Sequence, residues 1–221
     1  MIIEKKRDAE HLIQNLTRTS SAMEYSFSWK FQNASHFLIA VMEGTEEMRL
    51  EEDILTVLRE RADELISTKN LEERGLQLSL VTEQKFRLDR NRYAVSRQKL
   101  KAQTPYQVAV YACELKGECL EVYESKNEEN RSSVPVTLIG KVRYKTPLFS
   151  RQTICLLNVP RVPGYADGMI IYKPSCSRCT FPLAESCLGR ETAVMLPKGE
   201  TVTLLMAEAY RPFYTIKIEE G

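Results

Sequence analysis

Stretches in which large apolar side chains alternate with small or charged ones recur along most of this 221-residue chain. Residues 25–31 place Trp29 on an aromatic face of this kind, and residues 106–113 repeat the pattern with Tyr106 at their start. A period of two is that of a β-strand with one buried face. Residues 37–43 are almost continuously apolar, which indicates a central strand. The chain is therefore predicted to be mainly β, with Trp29 and Tyr106 as structural residues.

One stretch has a different period. Between residues 46 and 69, leucine, isoleucine and alanine recur about every 3.6 residues while charged residues fill the other positions. This spacing predicts an amphipathic α-helix. Such a helix covers an open face of its own domain or binds in the groove of a partner. Further strands are predicted over residues 76–81, 92–100 and 119–123.

The composition changes near residue 134. Eight of nine prolines and six of nine glycines follow it, and residues 134–221 carry eleven basic and seven acidic side chains, or +4, which leaves −3 for residues 1–133. Because residues 126–133 are polar, we predict a linker there between domains spanning 1–125 and 134–221. Six short strands with Pro- and Gly-bearing turns predict a small all-β sandwich or barrel in the second domain.

The segment 100–112 resembles the part of fibronectin type III domains in which a leucine and a polar turn precede a tyrosine that opens an alternating strand. The resemblance extends to the strand of Trp29 and implies that Tyr106 is a corner tyrosine. Residues 44–90 stand where that family has one or two short strands. Residues 196–204 resemble the corner of immunoglobulin-like domains, without a tyrosine. The resemblance implies two tandem β-sandwich domains of fibronectin type III or immunoglobulin-like type, the first with an α-helical insertion. Such domains bind partners or act as spacers, and they rarely carry catalysis.

Three of the six cysteines lie close together in the sequence. Cys176 and Cys179 form a C-x-x-C pair, Cys187 follows, and Cys155 is the other cysteine of this domain. Thiolates at this spacing can hold one tetrahedral Zn²⁺, with Cys155 as the fourth ligand. A disulfide among the first three, a thiol-redox site and ordinary free thiols are the alternatives. Zinc is therefore the one cofactor considered, and none is otherwise expected.

Aromatic and basic residues at turns and strand ends of the second domain form a second candidate site. Tyrosine and arginine are frequent in binding hot spots, and stacked aromatic rings also suit sugars. The candidate ligand-binding residues are Tyr165, Tyr172, Tyr210, Arg211, Phe213 and Tyr214.

Several classes of protein are not expected from this sequence. The apolar runs are shorter than the roughly 20 residues of a membrane-spanning helix, and the charged first residues lack the apolar core of a secretory signal, so a cytoplasmic protein without a membrane partner is expected. A net charge of +1 gives no reason to expect nucleic-acid binding. Common catalytic motifs are absent, and only two histidines are present. We therefore predict a non-enzymatic protein-binding or scaffold protein, with a carbohydrate-binding module and a zinc or thiol-redox module as alternatives and the oligomeric state open.

Overall fold

The computed structural model describes residues 1–8, 10–125 and 128–220. It divides into two compact units, Met1–Val134 and Pro135–Gly221. Both are built mainly from β-strands, so the predicted fold class is confirmed. No helix in the described residues is long and apolar enough to span a membrane.

The described residues of the first unit form ten strands and two α-helices: β1 (Ile2–Lys6), β2 (Ile13–Ser20), β3 (Glu24–Phe31), β4 (His36–Glu43), α1 (Leu55–Thr68), β5 (Asn70–Glu73), β6 (Leu76–Thr82), α2 (Glu83–Leu88), β7 (Tyr93–Ser96), β8 (Tyr106–Lys116), β9 (Cys119–Tyr123) and β10 (Arg131–Val134). Those of the second unit form seven strands: β11 (Val136–Lys145), β12 (Gln152–Asn158), β13 (Ile170–Pro174), β14 (Phe181–Pro182), β15 (Glu191–Pro197), β16 (Val202–Met206) and β17 (Tyr214–Glu220).

The larger sheet of the first unit has the strand order β1-β9-β8-β4-β6-β5, and β10 also pairs with β8. Its middle strands are covered on both faces. In β4, Phe37 and Ile39 face one core, whereas Leu38 and Ala40 face the other. Burial on both sides explains why this strand is continuously apolar rather than alternating.

A three-stranded sheet, β2-β3-β7, packs against one face of the larger sheet and makes the first unit a β-sandwich. Aromatic rings fill the space between the sheets, with Trp29 stacked on Phe86 at 4.1 Å between ring centroids. Tyr106 is buried at the start of β8, and its hydroxyl accepts a hydrogen bond of 2.8 Å from the backbone N–H of Lys101. A tyrosine that bonds back to the backbone a few residues upstream is the geometry of a tyrosine corner.

Helix α1 covers the opposite face of the larger sheet and buries Leu55, Leu58 and Leu65 in a second core. The predicted helix over residues 46–69 is therefore present, but it begins later. A π-helical turn, Leu50–Ile54, precedes α1, and Arg49 before it is extended. The helical insertion thus packs on its own domain, which is the first of the two alternatives raised by its amphipathic pattern.

The predicted linker, residues 126–133, is largely part of the first unit. Lys126 and Asn127 lie outside the described residues. A 3₁₀ turn follows them and buries Asn130, whose Nδ2 donates a 3.1 Å hydrogen bond to the carbonyl of Val110. Strand β10 then pairs antiparallel with β8. The polar run is a strand rather than a linker because an edge strand gains its pairing through backbone groups and can therefore carry polar side chains.

In the second unit, the sheet β15-β12-β11-β17 faces the sheet β14-β13-β16 across one apolar core. Strands β11 and β17 pair in parallel, and the other neighbouring strands of these two sheets are antiparallel. Each of the six strands predicted from the alternating pattern corresponds to one observed strand. The second unit is therefore a small β-sandwich.

Candidate functional site

The four cysteines proposed as metal ligands are not brought together. Cys155 is buried in β12, Cys187 is half-buried in a 3₁₀ turn, and Cys176 and Cys179 are exposed in the loop after β13. All four are free thiols. Among the described residues, no group of three or more His, Cys, Asp or Glu side chains is arranged to hold a metal ion. Spacing in the sequence predicted a cluster, but the strand places Cys155 in the core, away from the exposed pair.

These different environments predict different thiol reactivities. Burial raises the pKa of Cys155 to about 11, although a hydrogen bond with Tyr144 works in the opposite direction. Burial also raises the pKa of Cys113. A raised pKa lowers the thiolate fraction, and the thiolate is the form that reacts.

With iodoacetamide at mildly alkaline pH, we expect alkylation of native protein at the exposed Cys176 and Cys179 before Cys113 or Cys155. Peptide mass spectrometry over a time course measures the order. Protein denatured in urea is the control, because there the thiols lose their protection and should react at similar rates. Rapid alkylation of Cys155 in the native protein would contradict its burial in β12.

The candidate ligand-binding aromatics of the second unit mostly belong to its core. Tyr214 is only 4% exposed. Tyr165, Tyr210 and Phe213 are partly buried and pack against the same core. The Tyr165 hydroxyl donates a hydrogen bond to the carbonyl of Leu183, so the polar group of this tyrosine is bonded inside the fold.

Of the other two members of that set, Tyr172 is also partly buried against this core, and only Arg211 is exposed. Tyr172 stacks on Phe181, with ring centroids 5.3 Å apart. The Arg211 Nε donates a 3.2 Å hydrogen bond to the carbonyl of Met206. The six residues therefore do not form one exposed aromatic platform, because tyrosines at strand ends can bury the ring while bonding through the hydroxyl.

A cleft of about 850 Å³ in the first unit is a better candidate site. It arises because the three-stranded sheet is narrower than the sheet it covers: β7 is its last strand, and β6 and β5 continue beyond it. The strands and helix around the cleft contribute Glu24, Val41, Arg61, Glu64, Asn70, Leu71, Glu72, Gln77, Leu78, Ser79, Tyr93, Ala94, Val95, Ser96 and Lys99.

A chain of hydrogen bonds crosses the floor of the cleft. The Tyr93 hydroxyl donates to Ser79 Oγ at 2.8 Å, and the Ser79 hydroxyl donates to Asn70 Oδ1, also at 2.8 Å. Burial raises the pKa of Tyr93, which keeps its hydroxyl protonated and able to donate. Because the three residues lie on β7, β6 and β5, these bonds fix the edge strand relative to the uncovered part of the larger sheet.

The outer edge of β7 carries backbone groups that no other strand of the described structure pairs with. The register pairs Ser26 with Ala94 and Glu24 with Ser96. Just beyond, the N–H of Arg97 donates to the carbonyl of Met23 at 3.0 Å. Hydrogen-bonded and non-hydrogen-bonded pairs alternate in an antiparallel ladder. The N–H and C=O groups of Ala94 and Ser96 therefore point away from β3, towards the open edge.

The rim of the cleft carries both signs of charge. Arg61 contacts Glu64 at 2.8 Å and Glu73 at 3.1 Å, and Lys99 also lines the cleft. The described residues that line the cleft include no histidine or cysteine. The arrangement therefore offers hydrogen bonds and charge for binding, rather than a base suited to proton transfer near neutral pH.

Sequence reasoning did not single out this cleft. A signal was nevertheless present in β6, where Leu76, Leu78 and Leu80 alternate with Gln77 and Ser79. Polar residues at every second position of a strand indicate a face that is not covered by apolar packing. The pattern could have shown that β6 has a polar face, which we call the polar shelf together with the adjoining face of β5. It could not have shown that β7, the edge strand of the facing sheet, lies beside this shelf.

No protein-family model and no curated protein matches the chain. Among solved structures, the chain is similar to the crystal structure of the FN1–FN3 domains of chicken CNTN1, with 15% sequence identity and a TM-score of 0.26. The match covers 92% of this chain and 57% of that chain, so this chain spans just over half of its length. At this TM-score the similarity carries no functional argument. The facing sheets and the tyrosine corner of the first unit are themselves those of a fibronectin-like β-sandwich, and a fold of this type names no partner.

Proposed function

We propose that the first unit is a non-enzymatic protein-binding module that takes up an extended peptide segment of a partner protein. The segment adds as a strand beside β7 and lies over the polar shelf formed by β6 and β5. The observation that carries this proposal is that the backbone N–H and C=O groups of Ala94 and Ser96 point to the open edge of β7, at the border of the cleft. Addition of a strand to an open sheet edge is a recurrent mode of peptide recognition.

The surroundings of this edge favour a peptide over another kind of ligand. A strand beside β7 would continue the three-stranded sheet across the part of the larger sheet that it leaves uncovered. Backbone hydrogen bonds to Ala94 and Ser96 would supply affinity, and every second side chain of the peptide would face Gln77 and Asn70, since Ser79 is buried and already bonded to Tyr93 and Asn70. Because Gln77 and Asn70 are amides, the module should prefer polar side chains at the positions that face them.

Replacing Ala94 with proline tests the proposal. Proline removes an N–H that points to the open edge, so it breaks no bond between β7 and β3, but it blocks an incoming strand. Peptides selected from a phage library of random sequences on the full chain serve as probes, and fluorescence anisotropy gives their affinities. We expect Ala94→Pro to weaken binding at least about tenfold.

Ala94→Ser is the matched control, because it retains the N–H at the same position and should bind the peptides as well as the unaltered chain. Thermal unfolding followed by Trp29 fluorescence checks that both variants remain folded. Selected peptides that bind Ala94→Pro and the unaltered chain equally would refute strand addition at β7.

A further inference from the structure

The turn between β11 and β12 in the second unit exposes two large apolar side chains at its tip. Leu148 is 89% exposed and Phe149 is 104% exposed relative to a fully accessible reference. Other exposed apolar residues of this unit, such as Met195 at 56%, lie on sheet surfaces or retain more contact with their neighbours. Full exposure of two adjacent apolar side chains is unfavourable in water unless something covers them.

The tip is held by local hydrogen bonds. The N–H of Ser150 donates to the carbonyl of Pro147 at 3.1 Å, which closes the turn, and the hydroxyls of Thr146 and Thr153 lie 3.2 Å apart across its base. Phe149 has φ of +65°. Glycine is favoured at a turn position with positive φ, whereas a bulky aromatic residue is strained there. The turn therefore holds Phe149 in a backbone conformation that glycine would adopt with less strain.

Two other loops lie at the same end of the second unit. The N–H of Lys198 donates to the carbonyl of Arg151, and the N–H of Ser175 donates to the carbonyl of Thr201, each at 2.9 Å. These bonds join the β11–β12 turn, the β15–β16 turn and the loop after β13 into one cluster.

The loop cluster is basic. Its exposed cationic side chains are Lys145, Arg151, Arg178 and Lys198. In the described part of the chain, none of these four forms an ion pair. The carboxylate of the cluster, Glu200, accepts a hydrogen bond from the hydroxyl of Ser175. Among the described residues, the three loops at the end that carries the apolar tip therefore bear four exposed cations without an ion-pair partner and one carboxylate.

We infer that this end of the second unit docks on a lipid surface that carries anionic headgroups. Leu148 and Phe149 insert among the acyl chains near the interface, and the surrounding lysines and arginines contact the headgroups. A projecting tip fits a deformable lipid surface, whereas a protein hot spot is usually surrounded by contacts that exclude water. The sequence predicted no membrane partner because long apolar runs are absent, but peripheral docking needs only a few exposed apolar side chains.

Co-sedimentation of the full chain with vesicles tests this inference. Vesicles of phosphatidylcholine with about 30% phosphatidylserine supply the anionic surface, and pure phosphatidylcholine vesicles supply the neutral comparison. We expect binding to the anionic vesicles, weaker binding to the neutral ones, and a loss of binding at high salt. The double variant Leu148→Ser, Phe149→Gly should bind at least about tenfold less lipid, because the tip loses its apolar surface.

The glycine in that variant suits the positive φ, so the double variant should fold at least as well as the unaltered chain. Met195→Ser, which removes an exposed apolar side chain from the sheet surface, is the matched control and should bind vesicles normally. Failure of the unaltered chain to bind anionic vesicles would overturn the inference, as would equal binding by the double variant. Tip-dependent binding to polyglutamate without vesicle binding would also overturn it, and would assign this end to an acidic protein.

Discussion

Replacing Phe86 with alanine is expected to lower the free energy of unfolding of the first unit by about 3–5 kcal/mol. Phe86 is fully buried, stacks on Trp29 at 4.1 Å and meets Phe37 at 5.1 Å between ring centroids. It is also the buried residue of α2, a helix of six residues that follows β6. Truncation therefore leaves a cavity beside Trp29 and removes the apolar anchor of the helix.

Urea unfolding followed by Trp29 fluorescence measures this effect. Trp29 is the one tryptophan of the chain and lies in the same aromatic core, so its emission reports on the first unit. Leu88→Ala is the matched control, because Leu88 lies on the same helix but is 75% exposed. The control should change stability by no more than about 0.5 kcal/mol. Equal losses for the two variants would show that Phe86 does not hold the sheets together.

Most strands were predictable because a period of two is a local property of the sequence, but β10 was predicted as a linker, and the strand predicted over residues 92–100 is the shorter β7 followed by a 3₁₀ turn. Residues 119–123 were predicted with the same bounds as β9, and residues 76–81 differ from β6 by one residue. Helix α2 was missed because six residues are too few to establish a helical period. One signal was present: Thr82 lies at its N-cap, and its Oγ1 accepts a hydrogen bond from the N–H of Lys85.

The sites were harder to predict because they depend on which strands become neighbours. Cys176 and Cys155 could be grouped by residue type, but burial in β12 separates the second from the exposed loop of the first. The cleft has the opposite origin. Ser79 and Tyr93 are fourteen residues apart and meet only because β6 and β7 belong to facing sheets. Local periodicity contains no information on such pairings.

The polar run at the end of the first unit is a further case in which the sequence pattern does not show the pairing, because β10 pairs with β8. A fragment that ends at Val134 is expected to fold, whereas one that ends at Glu124 is expected to be less stable by about 3–4 kcal/mol. The longer fragment retains Val134, which is 5% exposed, and the hydrogen bond from Asn130 to Val110. It also retains the carbonyl of Ser133, which accepts a hydrogen bond from Arg18.

Urea unfolding of the two fragments and of the full chain, again followed by Trp29 emission, separates the two interpretations of this run. If residues 128–134 belong to the sandwich, the longer fragment should match the Trp29 transition of the full chain, and the shorter one should unfold at lower urea concentration. If they only link two domains, both fragments should unfold together. The distinction rests on backbone pairing: β10 covers the part of β8 that begins at Tyr106, so its loss opens an edge beside the tyrosine corner and admits water to the aromatic core.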